Sequence, residues 1–387
     1  MMLKVKPGLD VLVERELSLV RGKRVGVITN HSAVASNLAH IVDVLLDVGV
    51  NLTALFGPEH GVRGDVADGK EIPSGKDPRT GIPVYSLYGP TRKPTPEMLE
   101  NVDVLVYDLQ DVGARFYTYT YTMSLAMQAC AENGKQFIVL DRPNPITGIA
   151  VEGNILEKEF SSFVGLHPIP IRHGMTIGEL AMLFNNQYAF GANLEVVPVQ
   201  GWKRAMWFDE TGLPWVMPSP NLPTLESALL FPGTCFIEGT NVSEGRGTSK
   251  PFEMVGAPWA DGYKLAEYLN SIELDGVGFR PASFIPTASK HQNEACNGIQ
   301  IHIFQREKVN AVRIGLHLIK AFHDLFPNDF QFRPPGTSGK THFDLLLGTD
   351  KVRLAIMNGK TVDEIIESWE NDLYQFKQVR QEYLLYS

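Results

Sequence analysis

At 387 residues, with 44% hydrophobic and 20% charged side chains, the chain has ordinary globular composition and exceeds what one hydrophobic core usually organises. Its formal charge of -9 excludes a broad nucleic-acid-binding face, which needs clustered Lys and Arg, so any anionic ligand would require local cations. The cysteines Cys130, Cys235 and Cys296 match no zinc spacing and make no disulfide framework; Cys130 is expected to pack as a small hydrophobe.

The opening stretch carries Asp10, Glu14, Arg15 and Glu16 and lacks the basic start and apolar core of a signal peptide. The expectation is a cytoplasmic protein for the sequence as it stands, and an exported one if a leader precedes it. No stretch approaches the ~20 apolar residues of a membrane span. Strands are expected at residues 24–29 (RVGVIT), 52–56, 102–107 (VDVLVY) and 136–140 (QFIVL), with helical spacing over 38–48 and 119–132. Nearly continuous apolar strands separated by helices indicate a parallel sheet covered on both faces. The fold class is therefore α/β, a Rossmann-like doubly wound sheet.

Residues 148–175 read as loop. Thr176 then caps a helix, with Glu179 completing a capping box. A Pro-rich linker (LPW, then PSPNLPTLES) precedes a domain boundary expected near residues 231–233. Domains of 1–231 and 232–387 follow. The second has apparent strands in TCFIEG and GIQIHIF and helices over 260–271, 310–326 and 362–376, a smaller α+β unit.

Each predicted strand of the first domain ends in a polar loop: TNHS, GPEHGVRG, DLQDVGAR and DRPNP. In open α/β sheets, ligands bind outside the carboxyl ends of the strands. Glu59 and His60 stand between glycines in GPEHG, two titratable groups on a backbone free to turn, and suit a general acid or base. Asn30 and His31 follow the first strand. Asp108 and Arg115, with Phe116, Tyr117 and Tyr119, either hold a sugar through polar edges and apolar faces or form a pair that fixes a loop. Asp141 and Arg142 sit in the stiff DRPNP turn, where a positioned catalytic group and a structural strand exit are equally served. Glu152, outside any clear helix, is the stronger carboxylate. Arg172 and His173 precede a helix N-terminus suited to an anion. Glu244 and Arg246 alternate with glycines in EGTNVSEGRGT, which reads as a flexible binding loop expected to fold over the strand-end cleft. His31, His60, His173 and Asp108 match no metal signature, so no metal is expected. Neither G-x-G-x-x-G nor G-x-x-x-x-G-K-[ST] occurs, and no nucleotide cofactor is indicated.

Taken in order, GKRVGVITNHSAV, LFGPEHGVRG, YDLQDVGARFYTY, VLDRPNP, PIPIRHGMTIGELA, PSPNLPTLESALLFPGTCFIEGTNVSEGRGT and the terminal LLY resemble the NamZ-type exo-β-N-acetylmuramidases. The resemblance runs from about Gly8 to Tyr386. It implies a Rossmann-like N-terminal domain and a smaller C-terminal one. It also implies release of N-acetylmuramic acid from the non-reducing end of peptidoglycan disaccharides and muropeptides, without a cofactor. Two carboxyl groups are usual for glycoside cleavage, and Glu59 and Glu152 are the expected pair, with Glu244 in reserve. Participation of the substrate's acetamido group would need only one strong acid. Cations for the sugar's lactyl carboxylate are expected among Arg115, Arg142, Arg172 and Arg246. A metal-dependent hydrolase and a non-catalytic muropeptide-binding protein are the competing classes.

Overall fold

The computed structural model describes residues 5–63 and 74–387; Gly64, in the GPEHGVRG motif, lies outside them. The central sheet has seven strands: β1 (Arg24–Thr29), β2 (Asn51–Gly57), β3 (Gly75–Lys76), β4 (Pro83–Ser86), β5 (Val104–Asp108), β6 (Gln136–Leu140) and, after a separate hairpin of β7 (Glu152–Ile155) and β8 (Pro170–Arg172), β9 (Asn193–Val197). Its order is β3-β4-β2-β1-β5-β6-β9, all parallel except the short β3. Counting the parallel strands alone, this is the doubly wound 3-2-1-4-5-6 order.

Alternation along the strands builds two separate packing faces. Val25, Val27, Val104, Val106 and Ile138 bury against α1 (Gly8–Arg15) and α2 (Ile41–Asp47). Ile28, Phe56, Leu105, Tyr107, Phe137 and Val139 bury against α3 (Tyr119–Glu132) and α4 (Ile177–Gln187). This second core continues without interruption into the C-terminal part. There α5 (Leu225–Thr234), α6 (Gly262–Ser271) and α7 (Ala311–Leu325) pack with a three-stranded antiparallel sheet of β10 (Met254–Ala257), β12 (Cys296–Ile303) and β11 (Val277–Phe284), in that order. The helices α8 (His342–Leu347), α9 (Lys351–Met357), α10 (Val362–Glu367) and α11 (Glu370–Arg380) close the chain.

Several local expectations differ from the structure. TCFIEG is not a strand: its threonine ends α5 and Cys235–Gly239 form a 3₁₀ turn. The apolar run there buries Cys235, Phe236 and Ile237 in a helical turn against α8, and a Cβ on Gly239 would come within 2.5 Å of Phe343 Cα. Residues 148–175 are not all loop, because β7 and β8 pair antiparallel. The expected domain boundary falls inside α5, which touches α7 so closely that a Cβ on Gly233 would collide with the Ala311 carbonyl. The helix expected over 362–376 is two helices, α10 and α11, with the break at Ser368 and Trp369.

Candidate active site

The doubly wound order places its switch point between β1 and β5. That crevice is filled. Arg142 forks onto Asp108, Nε to Oδ1 at 2.5 Å and Nη2 to Oδ2 at 2.9 Å, and also donates to the Val34 carbonyl at 3.0 Å. A space of only about 20 Å³ remains among Ser32, Gln110 and Arg142.

Open space lies one strand further out. A cavity of about 660 Å³ begins at Glu59 and His60, after β2, and at Phe116, Tyr117 and Thr118, ahead of α3. It crosses to Phe231, Glu238, Arg246 and His342 of the C-terminal part. That volume suits a small-ligand site. A larger cavity of about 750 Å³ lies between β7, α4 and the helices α9 to α11, lined by residues such as Tyr188, Trp369 and Phe376. It meets none of the motif loops after β1, β2, β5 and β6.

The loop after β2 turns sharply. The Pro58 carbonyl accepts from Gly61 N at 2.9 Å, and His60 and Gly61 both adopt left-handed backbone, φ 73° and 78°. A buried histidine in that conformation is strained, and such residues cluster at functional sites. The turn presents Glu59 to the start of α3, where Thr118 Oγ1 donates to Glu59 Oε2 at 2.8 Å. The wall behind is fixed by Tyr119, whose hydroxyl accepts from Asn30 Nδ2 at 2.8 Å and donates to the Pro218 carbonyl at 2.9 Å. Asn30 Oδ1 in turn accepts from Ser32 N and Oγ. His31 Nε2 donates to the Met217 carbonyl at 2.7 Å, and burial pulls its pKa down. Asn30 and His31 therefore brace the PSPN segment, whose Ser219 and Asn221 line the cavity.

Across the cavity, Gly245 and Gly247 hold Arg246 between two left-handed residues, φ 78° and 76°. A Cβ at either position would approach within 2.6 Å of the Met254 carbonyl or 2.5 Å of Ala288 N. The loop read as flexible is thus tightly packed. Arg246 donates to Glu238 Oε1 at 2.6 Å, pairs with Glu244 at 3.1 Å and lies over the Phe252 ring at 5.0 Å. Burial would raise the Glu238 carboxyl, but Arg246 and a hydrogen bond from His342 outweigh it and hold it well below the usual carboxylate range. Glu238 was not among the expected site residues. It ends an apolar run that reads as strand, while the neighbouring glycine-framed Glu244 carries the more conspicuous pattern. Glu244 is buried, bound to Arg246 and to Lys290 Nζ at 2.9 Å, and supports Arg246 from behind the wall.

Other expected site residues are not brought to this cavity. Glu152 is buried against Arg172 Nη1 at 2.5 Å and accepts from Val312 N at 3.3 Å in the first turn of α7, beside the Asn310 cap. Arg172 also donates to the Ile146 carbonyl. Arg115 is fully buried and satisfies three carbonyls, Asn154, Ile169 and Leu346, at 2.7–3.0 Å. Asp141 accepts from Thr176 Oγ1, Gly178 N and the hydroxyl of Tyr386, and so ties α4 and the C-terminus to β6; burial raises its pKa to about 6. His173 is buried 3.7 Å from Asp111, and burial takes its pKa down to about 3. These polar groups sit in motifs because a buried charge needs dedicated partners. Among the described residues no group of three His, Cys, Asp or Glu side chains is placed to hold a metal ion. No helix among them is long and apolar enough to cross a membrane.

Fold and site together define a two-domain α/β protein whose carboxylate- and aromatic-lined cavity spans both domains. The chain belongs to the NamZ family: the model of the exo-β-N-acetylmuramidase NamZ N-terminal domain matches residues 25–226, and that of its C-terminal domain matches 229–386. It is 55% identical over 384 residues to the peptidoglycan β-N-acetylmuramidase NamZ of Bacillus subtilis, covering 99% of this chain and 92% of that protein. Two crystal structures of DUF1343 family proteins from Bacteroides fragilis are similar throughout. One has a TM-score of 0.92 at 41% identity, covering 99% of each chain. The other has a TM-score of 0.81 at 35% identity, covering 100% of this chain and 99% of that one.

Proposed function

We infer that this chain is an exo-β-N-acetylmuramidase, a glycoside hydrolase that removes N-acetylmuramic acid from the non-reducing end of peptidoglycan fragments. The observation that carries the chemistry is one cavity holding two carboxylates in unlike surroundings, Glu59 and Glu238. Enzymes that cleave glycosides assign different protonation states to two carboxyl groups by environment. Glu238, against Arg246, stays ionised and stabilises the positive charge that develops on the sugar ring. Glu59 moves the proton. Its partner Thr118 is a hydroxyl, which donates to a carboxylate and accepts from a carboxylic acid, and so serves both states of a residue that cycles. Phe116, Phe231 and Phe252 offer apolar faces for a pyranose ring, and Ser219 and Asn221 offer polar edges.

The expected pair Glu59 and Glu152 is replaced by Glu59 and Glu238, since Glu152 is committed to Arg172. The test is turnover of a chromogenic β-N-acetylmuraminide by the wild type, Glu59→Gln and Glu238→Gln. Both variants should retain the fold and lose most of kcat. A wild type without turnover overturns the activity, and a fully active Glu59→Gln overturns the assignment of the proton.

A further inference from the structure

N-acetylmuramic acid carries a lactyl ether, a methyl and a carboxylate on one carbon, that N-acetylglucosamine lacks. The proposed activity therefore demands a receptor that is cationic and apolar at one point. Three arginines line the cavity: Arg92, Arg246 and Arg333. Arg246 is already neutralised by Glu238 and Glu244. Among the described residues, Arg92 and Arg333 make no ion pair with a carboxylate.

Both are exposed; among the described residues, Arg92 alone of the two lies over an aromatic ring. Arg92 lies with its guanidinium carbon 4.3 Å from the centroid of the Phe163 ring, and that ring stands 6.1 Å from the ring of Tyr88. Stacking desolvates one face of the guanidinium and leaves its N–H edge to fork onto a carboxylate. Phe163 and Val164 line the same part of the cavity with apolar surface that a methyl group can cover. Among the described residues no carboxylate pairs with this cation, and Phe163 and Val164 still face the open cavity.

We propose that Arg92 and Phe163 form the receptor for the lactyl ether, Arg92 taking its carboxylate and Phe163 its methyl group, and so set the enzyme's preference for muramic over glucosaminic sugars. The proposal rests on the activity inferred above.

The experiment compares a chromogenic β-N-acetylmuraminide with its lactyl amide, which has the same shape and no charge. The wild type, Arg92→Gln and Arg333→Gln are assayed with both. Amidation should lower the wild-type kcat/KM by roughly 10- to 100-fold, the range for one charge-assisted hydrogen-bonded contact. In Arg92→Gln that penalty should vanish, with the acid falling to the level of the amide. Arg333→Gln should keep the wild-type penalty. An unchanged penalty in Arg92→Gln, or its disappearance in Arg333→Gln instead, overturns the proposal. If the wild type turns over neither substrate, the inferred activity fails separately. Calorimetric binding of free N-acetylmuramic acid and its amide then decides the receptor alone. Loss of the preference for the acid in Arg92→Gln supports it, and equal affinities in the wild type refute it.

Discussion

Glu59 is held at the mouth of α3 by Thr118, whose Oγ1 donates to Glu59 Oε2 at 2.8 Å. Replacing Glu59 with Gln keeps this contact and the shape of the site while removing the ionisable group. Turnover of an N-acetylmuraminide should fall at least ~100-fold with an unaltered melting temperature, as expected for loss of an acid/base group. Thr118→Val should have a milder effect, lowering kcat at an unchanged fold, because it removes the hydroxyl that orients the Glu59 carboxyl group.

Glu238 is predicted to act without transferring a proton. Glu238→Gln should lower kcat by about 100-fold and leave KM little changed, the pattern of an interaction made in the transition state. Steady-state kinetics on one chromogenic substrate checks it. A rise in KM at constant kcat would instead make Glu238 a binding group.

Glu152 should matter to stability and not to chemistry. Glu152→Gln leaves Arg172 buried without its counter-charge, and breaking such a pair costs about 3–5 kcal/mol. Urea unfolding should show that loss, while kcat of the remaining folded enzyme stays at the wild-type value. A folded, fully stable and inactive variant would return Glu152 to the catalytic set.

His167 is predicted to weaken the protein in acid. It is buried among the rings of Tyr121, Phe184 and Tyr188, its Nε2 lies 2.6 Å from Ser124 Oγ, and burial lowers its pKa to about 4. In the unfolded chain it titrates near ~6.5. Its contribution is therefore complete above that value and is lost as the pH falls toward 4. At pH 4.5 the cost relative to neutral pH is about 2 kcal/mol. Thermal melts of His167→Gln and the wild type at pH 7 and 4.5 should differ less in the variant. Parallel acid losses would remove His167 from the account.

The cavity-lining Phe252 covers Arg246 at 5.0 Å and meets Phe231 edge-on at 4.9 Å. Phe252→Leu keeps much of the apolar volume and loses the ring. It should reduce kcat/KM about 10-fold through a looser Arg246–Glu238 pair, with at most about 1.5 kcal/mol lost in stability. Equal kcat/KM for the two proteins would show that the ring only fills space.

What the sequence determined by itself was whatever depends on short-range pattern. Continuous apolar runs such as RVGVIT and QFIVL, alternating with helical spacing, marked strands covered on both faces, and the polar loops at their ends marked where a doubly wound sheet opens. Glu59, His60 and Arg246 were legible for the same reason, since glycines on either side of a charged residue signal a backbone bent to present it. The tertiary structure alone decided which charges were spent on holding the fold. Arg115, Arg142 and Arg172 look no different from Arg92 in sequence, yet the first three are buried on carbonyls and carboxylates, while Arg92 stacks on Phe163 at the cavity wall. Glu152 and Glu238 exchange places on the same ground. A carboxylate becomes a buried structural group or a cavity group according to which distant residue meets it, Arg172 with Val312 in one case, Arg246 with His342 in the other. Such partnerships form between residues far apart in the chain, and only the packed cores bring them within hydrogen-bonding range.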